Sequence, residues 1–117
     1  MATIDAGNPP ELRMSLDAPD VEAQTAVAML LSDGKRAAIM AMLREGPHCV
    51  CEMTAALGER SNNVSNHLAR LREAGLVYAS RAAGDTRRVY YERDEDACAA
   101  ALRGLAGILG GRTGAAG

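Results

Sequence analysis

Apolar residues recur along this chain at two periods, and the switches between them mark out a small set of elements. Val21, Ala23, Ala26, Val27, Leu30 and Leu31 return at spacings of three and four and predict a first helix over 20–32, opened by Asp17-Ala-Pro-Asp. Ser32-Asp33-Gly34 interrupts the stripe, and Asp33 is placed to cap a second helix carrying Ala37, Ile39, Met40, Met42 and Leu43, stopped by Gly46-Pro47. A third helix begins between Cys49 and Glu52, runs to Leu57 and ends at Gly58. A fourth starts at Ser61 or just before it and continues to Ala74, with Val64, Leu68 and Leu71 as its buried stripe and Gly75 closing it. The pattern then turns to strand. Leu76 to about Ala83 and Arg87 to Glu92, separated by the turn signal Gly84-Asp85, predict a hairpin. Asp94-Glu-Asp opens a last helix over 95–109, with Ala97, Ala101, Leu102, Leu105, Ile108 and Leu109 on one side.

The expectation is a mainly α chain with a β-hairpin wing, in the order ααααββα. A helix pair joined by a short turn and followed at once by a two-stranded hairpin is the winged helix-turn-helix arrangement, in which the second helix enters the major groove and the hairpin reaches along the backbone. The ends fall outside this unit. Residues 1–16, with Gly7, Pro9 and Pro10, read as a flexible arm holding at most a short helical piece from Pro10 to Leu16. Residues 17–109 are the domain, and the Gly-rich 110–117 read as a disordered tail.

Composition narrows the class. A chain of 117 residues is one domain by size, and 48% hydrophobic residues support a core, which must be built without Phe or Trp. The Ala-rich outer stripes are more than so short a chain covers by itself, so the first and last helices are expected to pack against their mates in a homodimer. The net charge of −2 is unevenly placed: residues 60–93 hold seven Arg against three acids. A basic segment in an acidic body is a nucleic-acid footprint, or else a solvated charged face. No apolar run reaches the ~20 residues of a membrane span, and the N-terminus lacks the basic head and apolar run of a signal peptide. A cytoplasmic chain with three cysteines is expected to keep them free, metal-binding or reactive rather than in a disulfide framework.

Two groups of residues carry candidate chemistry. Ser61, Asn62, Ser65, Asn66, Arg70 and His67 lie off the buried stripe of the fourth helix. Short polar side chains near a helix start suit base edges, Asn especially adenine. Ser61 and Asn62 also suit helix capping, and His67 a polar contact toward the protein. Arg81, Arg87 and Arg88 of the hairpin are candidate phosphate contacts. The second group is the pair Cys49 and Cys51. Two thiolates at i and i+2 are about 200° apart around a helix, so from intact helix they cannot share an ion. Sharing one requires an extended or unwound first turn, which the β-branched Val50 and the upstream Gly46-Pro47 favour. Metal binding and a regular start to the third helix are therefore expected to compete. Oxidation of the pair is a separate possibility.

Cys49-Val-Cys-Glu-Met resembles the metal-binding box of the ArsR/SmtB repressors, usually Glu-Leu-Cys-Val-Cys-Asp-Leu. Val64-Ser-Asn-His-Leu-Ala-Arg-Leu-Arg-Glu-Ala-Gly-Leu-Val is similar to their recognition helix and its exit, and Val89-Tyr-Tyr after Gly84 to their wing. The likeness covers about 20–109. It implies a homodimeric repressor that binds double-stranded operator DNA and leaves it when a metal or metalloid binds, with Ser61, Asn62, Ser65 and Asn66 at operator-contact positions. Pro47-His48 replaces the usual Glu-Leu, and Thr54 stands where arsenic-sensing members place a third cysteine. A three-thiolate set of Cys49, Cys51 and Cys98 would suit arsenic(III), which family members bind through sulfur alone, and also cadmium or lead; His48 as a nitrogen ligand would shift the preference toward zinc. Asp96-Ala-Cys98 sits where relatives have Asp-x-His, with no downstream His. An enzyme is the competing class, but there is no Cys-x-x-Cys, nucleophile elbow or phosphate loop. A winged-helix module that binds only protein is opposed by the polar helix face and the wing arginines.

Overall fold

A computed structural model describes residues 21–81 and 87–110. The elements are α1 (Val21–Leu31), α2 (Gly34–Arg44), β1 (His48–Cys49), α3 (Val50–Leu57), α4 (Ser61–Glu73), β2 (Val77–Ser80), β3 (Tyr90–Arg93) and α5 (Glu95–Leu109). The expected arm over 1–16, the turn at Gly84-Asp85 and all but the first residue of the tail lie outside the described residues.

Local chemistry explains most of the boundaries. Asp33 has extended backbone and caps α2, its carboxylate accepting from Lys35 N–H at 2.8 Å and Arg36 N–H at 3.2 Å. The Arg36 N–H bond is the main reason the Asp33 carboxyl sits below its ordinary range. Asp94 does the same for α5, accepting from Ala97 N–H at 2.9 Å. α3 ends at Gly58, whose φ of 62° is left-handed; a side chain there is strained, so glycine sets the turn into α4.

α4 carries the core. Val64, Leu68 and Leu71 are buried on one face, against Ile39 and Leu43 of α2, Met53 of α3, and Leu76 and Val77 at the start of β2. Each such burial is worth about 1.5–3 kcal/mol. All of these residues belong to the stretch from α2 to β2. Neither α1 nor α5 contributes a buried residue, although the two helices pack on each other. A Cβ on Gly104 would meet the far end of the Gln24 side chain, which would have to move aside.

The strands differ from the expected two-stranded hairpin. They form a three-stranded antiparallel sheet in the order β1-β3-β2. β1 pairs Cys49 with Tyr90 and His48 with Tyr91, while β2 pairs Val77 with Arg93 and Ser80 with Tyr90. The middle strand begins at Tyr90 rather than Arg87, because its ladder partners end at Ser80 and Cys49. Arg87 and Arg88 lie in the bend before it.

Candidate nucleic-acid interface and thiol site

The apolar stripe of α4 fixes what the helix shows to the outside. With Val64, Leu68 and Leu71 turned inward, Ser61, Asn62, Ser65, Asn66 and Arg70 are all exposed on the other side. Arg60 is the N-cap and makes no side-chain cap bond, so Ser61 and Asn62 stand inside the helix and do not cap it in the way their residue types allow. Asn62 Oδ1 accepts from the Asn63 N–H at 3.0 Å, and Asn63 Nδ2 donates to Glu59 at 3.3 Å. α3 packs against α4 as its positioning partner, and Lys35 Nζ of α2 donates to the Leu57 carbonyl at the end of α3 at 3.0 Å. The helix pair is therefore braced from behind. Arg81, Arg87 and Arg88 are exposed where the described parts of the wing leave and re-enter the sheet.

His67 departs from the rest of the polar set. It is half-buried, and its Nδ1 lies 3.3 Å from Arg36 Nη1 of α2. Arg36 was not among the residues singled out from the sequence. The signal was there: Arg36 stands three and seven residues before Ile39 and Leu43, a charged group on the core-facing side of α2.

The thiol pair sits at the joint between sheet and helix. Cys49 is both the last residue of β1 and the N-cap of α3, with extended backbone (φ −89°, ψ 165°). Glu52 reaches back to accept from the Cys49 N–H at 2.9 Å, half of a capping box. The Cys49 side chain is buried, only 3% exposed, while Cys51 is exposed on the first turn of the helix. Their Cα atoms are 5.3 Å apart and their sulfurs are joined as a disulfide. The condition expected for the sulfurs to meet, an extended or unwound start, is found at Cys49. The 200° separation holds only when both residues are helical. Here the chain turns from extended to helical between them, and the sulfurs meet with α3 intact. The disulfide departs from the expectation of free thiols; it spans two residues and joins the end of β1 to the first turn of α3.

The neighbouring side chains make local hydrogen bonds. The Thr54 hydroxyl donates to the Cys51 carbonyl at 2.8 Å. His48 Nδ1 lies 2.8 Å from the Gly46 carbonyl; since a carbonyl only accepts, Nδ1 carries the proton and Nε2 keeps its lone pair. Cys98 is elsewhere. Its thiol is half-buried on α5, with Sγ 3.9 Å from the Leu76 carbonyl, in an apolar cleft of about 250 Å³ that Val27, Leu31, Met40 and Leu105 also line. Burial pushes the Cys98 thiol above its ordinary range, with Glu95 and Asp94 adding to the effect and Arg93 opposing it. Among the described residues no three His, Cys, Asp or Glu side chains gather as a metal site, so one protomer brings together two sulfur donors and not three.

Fold and surface together define a winged helix-turn-helix regulator, with α3 and α4 as the helix pair and β2–β3 as the wing. Residues 33–79 match the model of the bacterial regulatory protein, arsR family. The chain is 48% identical over 48 residues to the arsenic resistance transcriptional regulator ArsR1 of Pseudomonas putida, covering 40% of this chain and 38% of that protein. It is 43% identical over 49 residues to the arsenical resistance operon repressor of Escherichia coli, covering 41% and 42%. The matched stretch thus spans about two fifths of the length of these curated relatives. A solved structure of a "possible transcriptional regulator for arsenical resistance" superposes with a TM-score of 0.58 at 30% identity, over 66% of this chain and 76% of that one. The chain belongs to the ArsR family. That family is one of transcriptional regulators, not enzymes. No helix among the described residues is long and apolar enough to cross a membrane.

Proposed function

We propose that this protein is a cytoplasmic transcriptional repressor of arsenical resistance that binds operator DNA as a homodimer and leaves it when arsenic(III) binds its cysteine thiolates. The observation that carries this reading is the placement of Cys49 and Cys51 on either side of the β1–α3 joint, with their sulfurs within reach of each other. In this reading α4 enters the major groove, where Ser61, Asn62, Ser65, Asn66 and Arg70 meet base edges and phosphates. Arg81, Arg87 and Arg88 contact the backbone from the wing. α1 and α5 pair with their two-fold mates and set the half-site spacing.

The thiol pair supplies two soft donors, which suits a soft ion and excludes a hard one. The third donor in this reading is Cys98; since one protomer does not gather it with the pair, it comes from a second copy. An ion held at the joint acts on two elements at once. Cys49 is paired with Tyr90 of the wing's middle strand, and Cys51 stands on the helix that braces α4. Cadmium, lead or zinc at the same sulfurs would use the same lever.

Fluorescence anisotropy of a labelled operator duplex tests the reading. Under reducing conditions arsenite releases the wild type and fails to release Cys49→Ser or Cys51→Ser. Release undiminished in both variants removes the pair from sensing. Cys98→Ser in the same titration decides the third donor. The disulfide favours a second reading, in which oxidation itself is the signal. Release by a disulfide oxidant, reversed by a dithiol and unaffected by arsenite, would select it.

A further inference from the structure

We propose that Arg36 and His67 form a positioning link that sets the DNA-reading helix α4 relative to the outer helix α1. Arg36 belongs to α2, yet its guanidinium serves three elements. Nε donates to the Leu30 carbonyl at 2.8 Å. That carbonyl lies in the last turn of α1, where no intrahelical N–H is left to satisfy it. Nη1 lies 3.3 Å from His67 Nδ1 in the middle of α4, and 3.9 Å from the Asp33 carboxylate that caps α2. The Arg36 side chain is 14% exposed, so these contacts are partly shielded from water and salt.

The chemistry of the pair fixes its geometry. A guanidinium has only donors, so the His67 Nδ1 in contact with it must be the acceptor, and the ring proton sits on Nε2. A planar fork holds the Leu30 carbonyl and the His67 ring at a set separation; a lysine ammonium on a flexible stem does not. Asn66 and Arg70 flank His67 on α4, and all three line a polar cleft with Arg36, Glu59 and Asn63. A rotation of α4 that broke the Arg36–His67 contact would swing its exposed residues with it. The same arginine holds the end of the helix expected to pair across the dimer. The link therefore carries the dimer's geometry into the angle at which α4 is presented. His67, weighed from the sequence as a base contact, becomes a group that acts through another residue.

The role of the link in DNA affinity rests on the DNA-binding reading above; the link itself does not. The test uses a fluorescein-labelled duplex selected in vitro on the full wild-type chain. Arg36→Lys and His67→Leu should each weaken binding about tenfold, and the double variant should be no weaker than either alone. His67→Asn, whose amide oxygen takes the place of Nδ1, should restore near-wild-type affinity. In ¹⁵N NMR the wild-type His67 ring should show a protonated Nε2 and an unprotonated Nδ1 whose resonance carries the shift of a hydrogen-bonded lone pair, and Arg36→Lys should move that Nδ1 resonance toward the value of a solvent-exposed ring. Additive losses in the double variant, failure of His67→Asn to restore binding, or a proton on Nδ1 in the wild type each overturn the proposal. If the wild type selects no duplex, the DNA-binding reading fails, and the response of the His67 Nδ1 resonance to Arg36→Lys, which needs no DNA, still decides the link.

Discussion

The stretch from α2 to β2 and the outer pair α1 and α5 are built from similar residues and end in opposite states. Ile39, Met53, Val64 and Leu71 are fully buried in the first. In the second, Met29, Leu102 and Leu109 remain 67%, 69% and 80% exposed. The sequence stripes do not distinguish them, since α1 and α5 are as apolar as α2. Topology does: α4 lies between α2, α3 and the sheet, whereas α1 and α5 pack on each other and reach the core only through partly buried residues such as Leu30, Ala97 and Ala101. The outer pair carries apolar surface whose burial calls for another chain.

Breaking the inner half should have the largest effect. Leu68→Ala removes a side chain that is 1% exposed at the centre of the core, and should cost about 3 kcal/mol, read as a lowered midpoint in urea unfolding. A loss under about 1 kcal/mol would mean that the site collapses around the cavity, and that the inner half is less tightly built than its burial indicates. Leu102→Glu addresses the outer half. It should leave the helical circular dichroism unchanged while weakening self-association at least tenfold in sedimentation equilibrium, because a carboxylate in a dry interface has no partner. An unchanged association constant would place the dimer contact on another face.

Two smaller effects sharpen the comparison. Gly58→Ala forces a Cβ into the left-handed turn between α3 and α4 and should destabilise by about 1 kcal/mol; the equivalent change at the exposed end of α5, Gly110, should matter less to the inner fold. The smallest effect is at Cys98. Its thiol is held above the ordinary range in the folded chain, so the neutral form is favoured. The stability this contributes is complete below the ordinary thiol pKa and is lost as pH rises through the raised value. Iodoacetamide should therefore label Cys98 more slowly than an unfolded control at mildly alkaline pH, and the gap should close as pH rises further. Equal rates throughout would mean that the α1–α5 cleft admits water freely.

Much of this was legible beforehand. Asp33 and Asp94 announce their helices by residue type, and Val64, Leu68 and Leu71 announce the core face of α4 by spacing; the structure keeps all five in those roles. What escaped depends on partners distant in the chain. His48-Cys49 is too short for any alternation to register, and it becomes a strand only because Tyr90 and Tyr91 lie alongside. The misplaced start of β3 has the same origin: Arg87 and Arg88 have strand-like neighbours but no ladder partners. The angle between the two thiols turns on a local detail. Whether Cys49 is the first helical residue or the cap before it changes the direction of its side chain completely, and helix boundaries are the least certain part of a sequence reading. Arg36 was passed over because a single charge on a core-facing stripe reads as noise until the atom it serves is in view.

The strand order β1-β3-β2 also has a consequence for the making of the protein. Cys49 gains its strand partner only when Tyr90 has been synthesised, about 40 residues later. At ribosomal speeds this is roughly 2–8 s. Until then the strand that covers Cys49 does not exist, so its burial is a late event in the making of the domain.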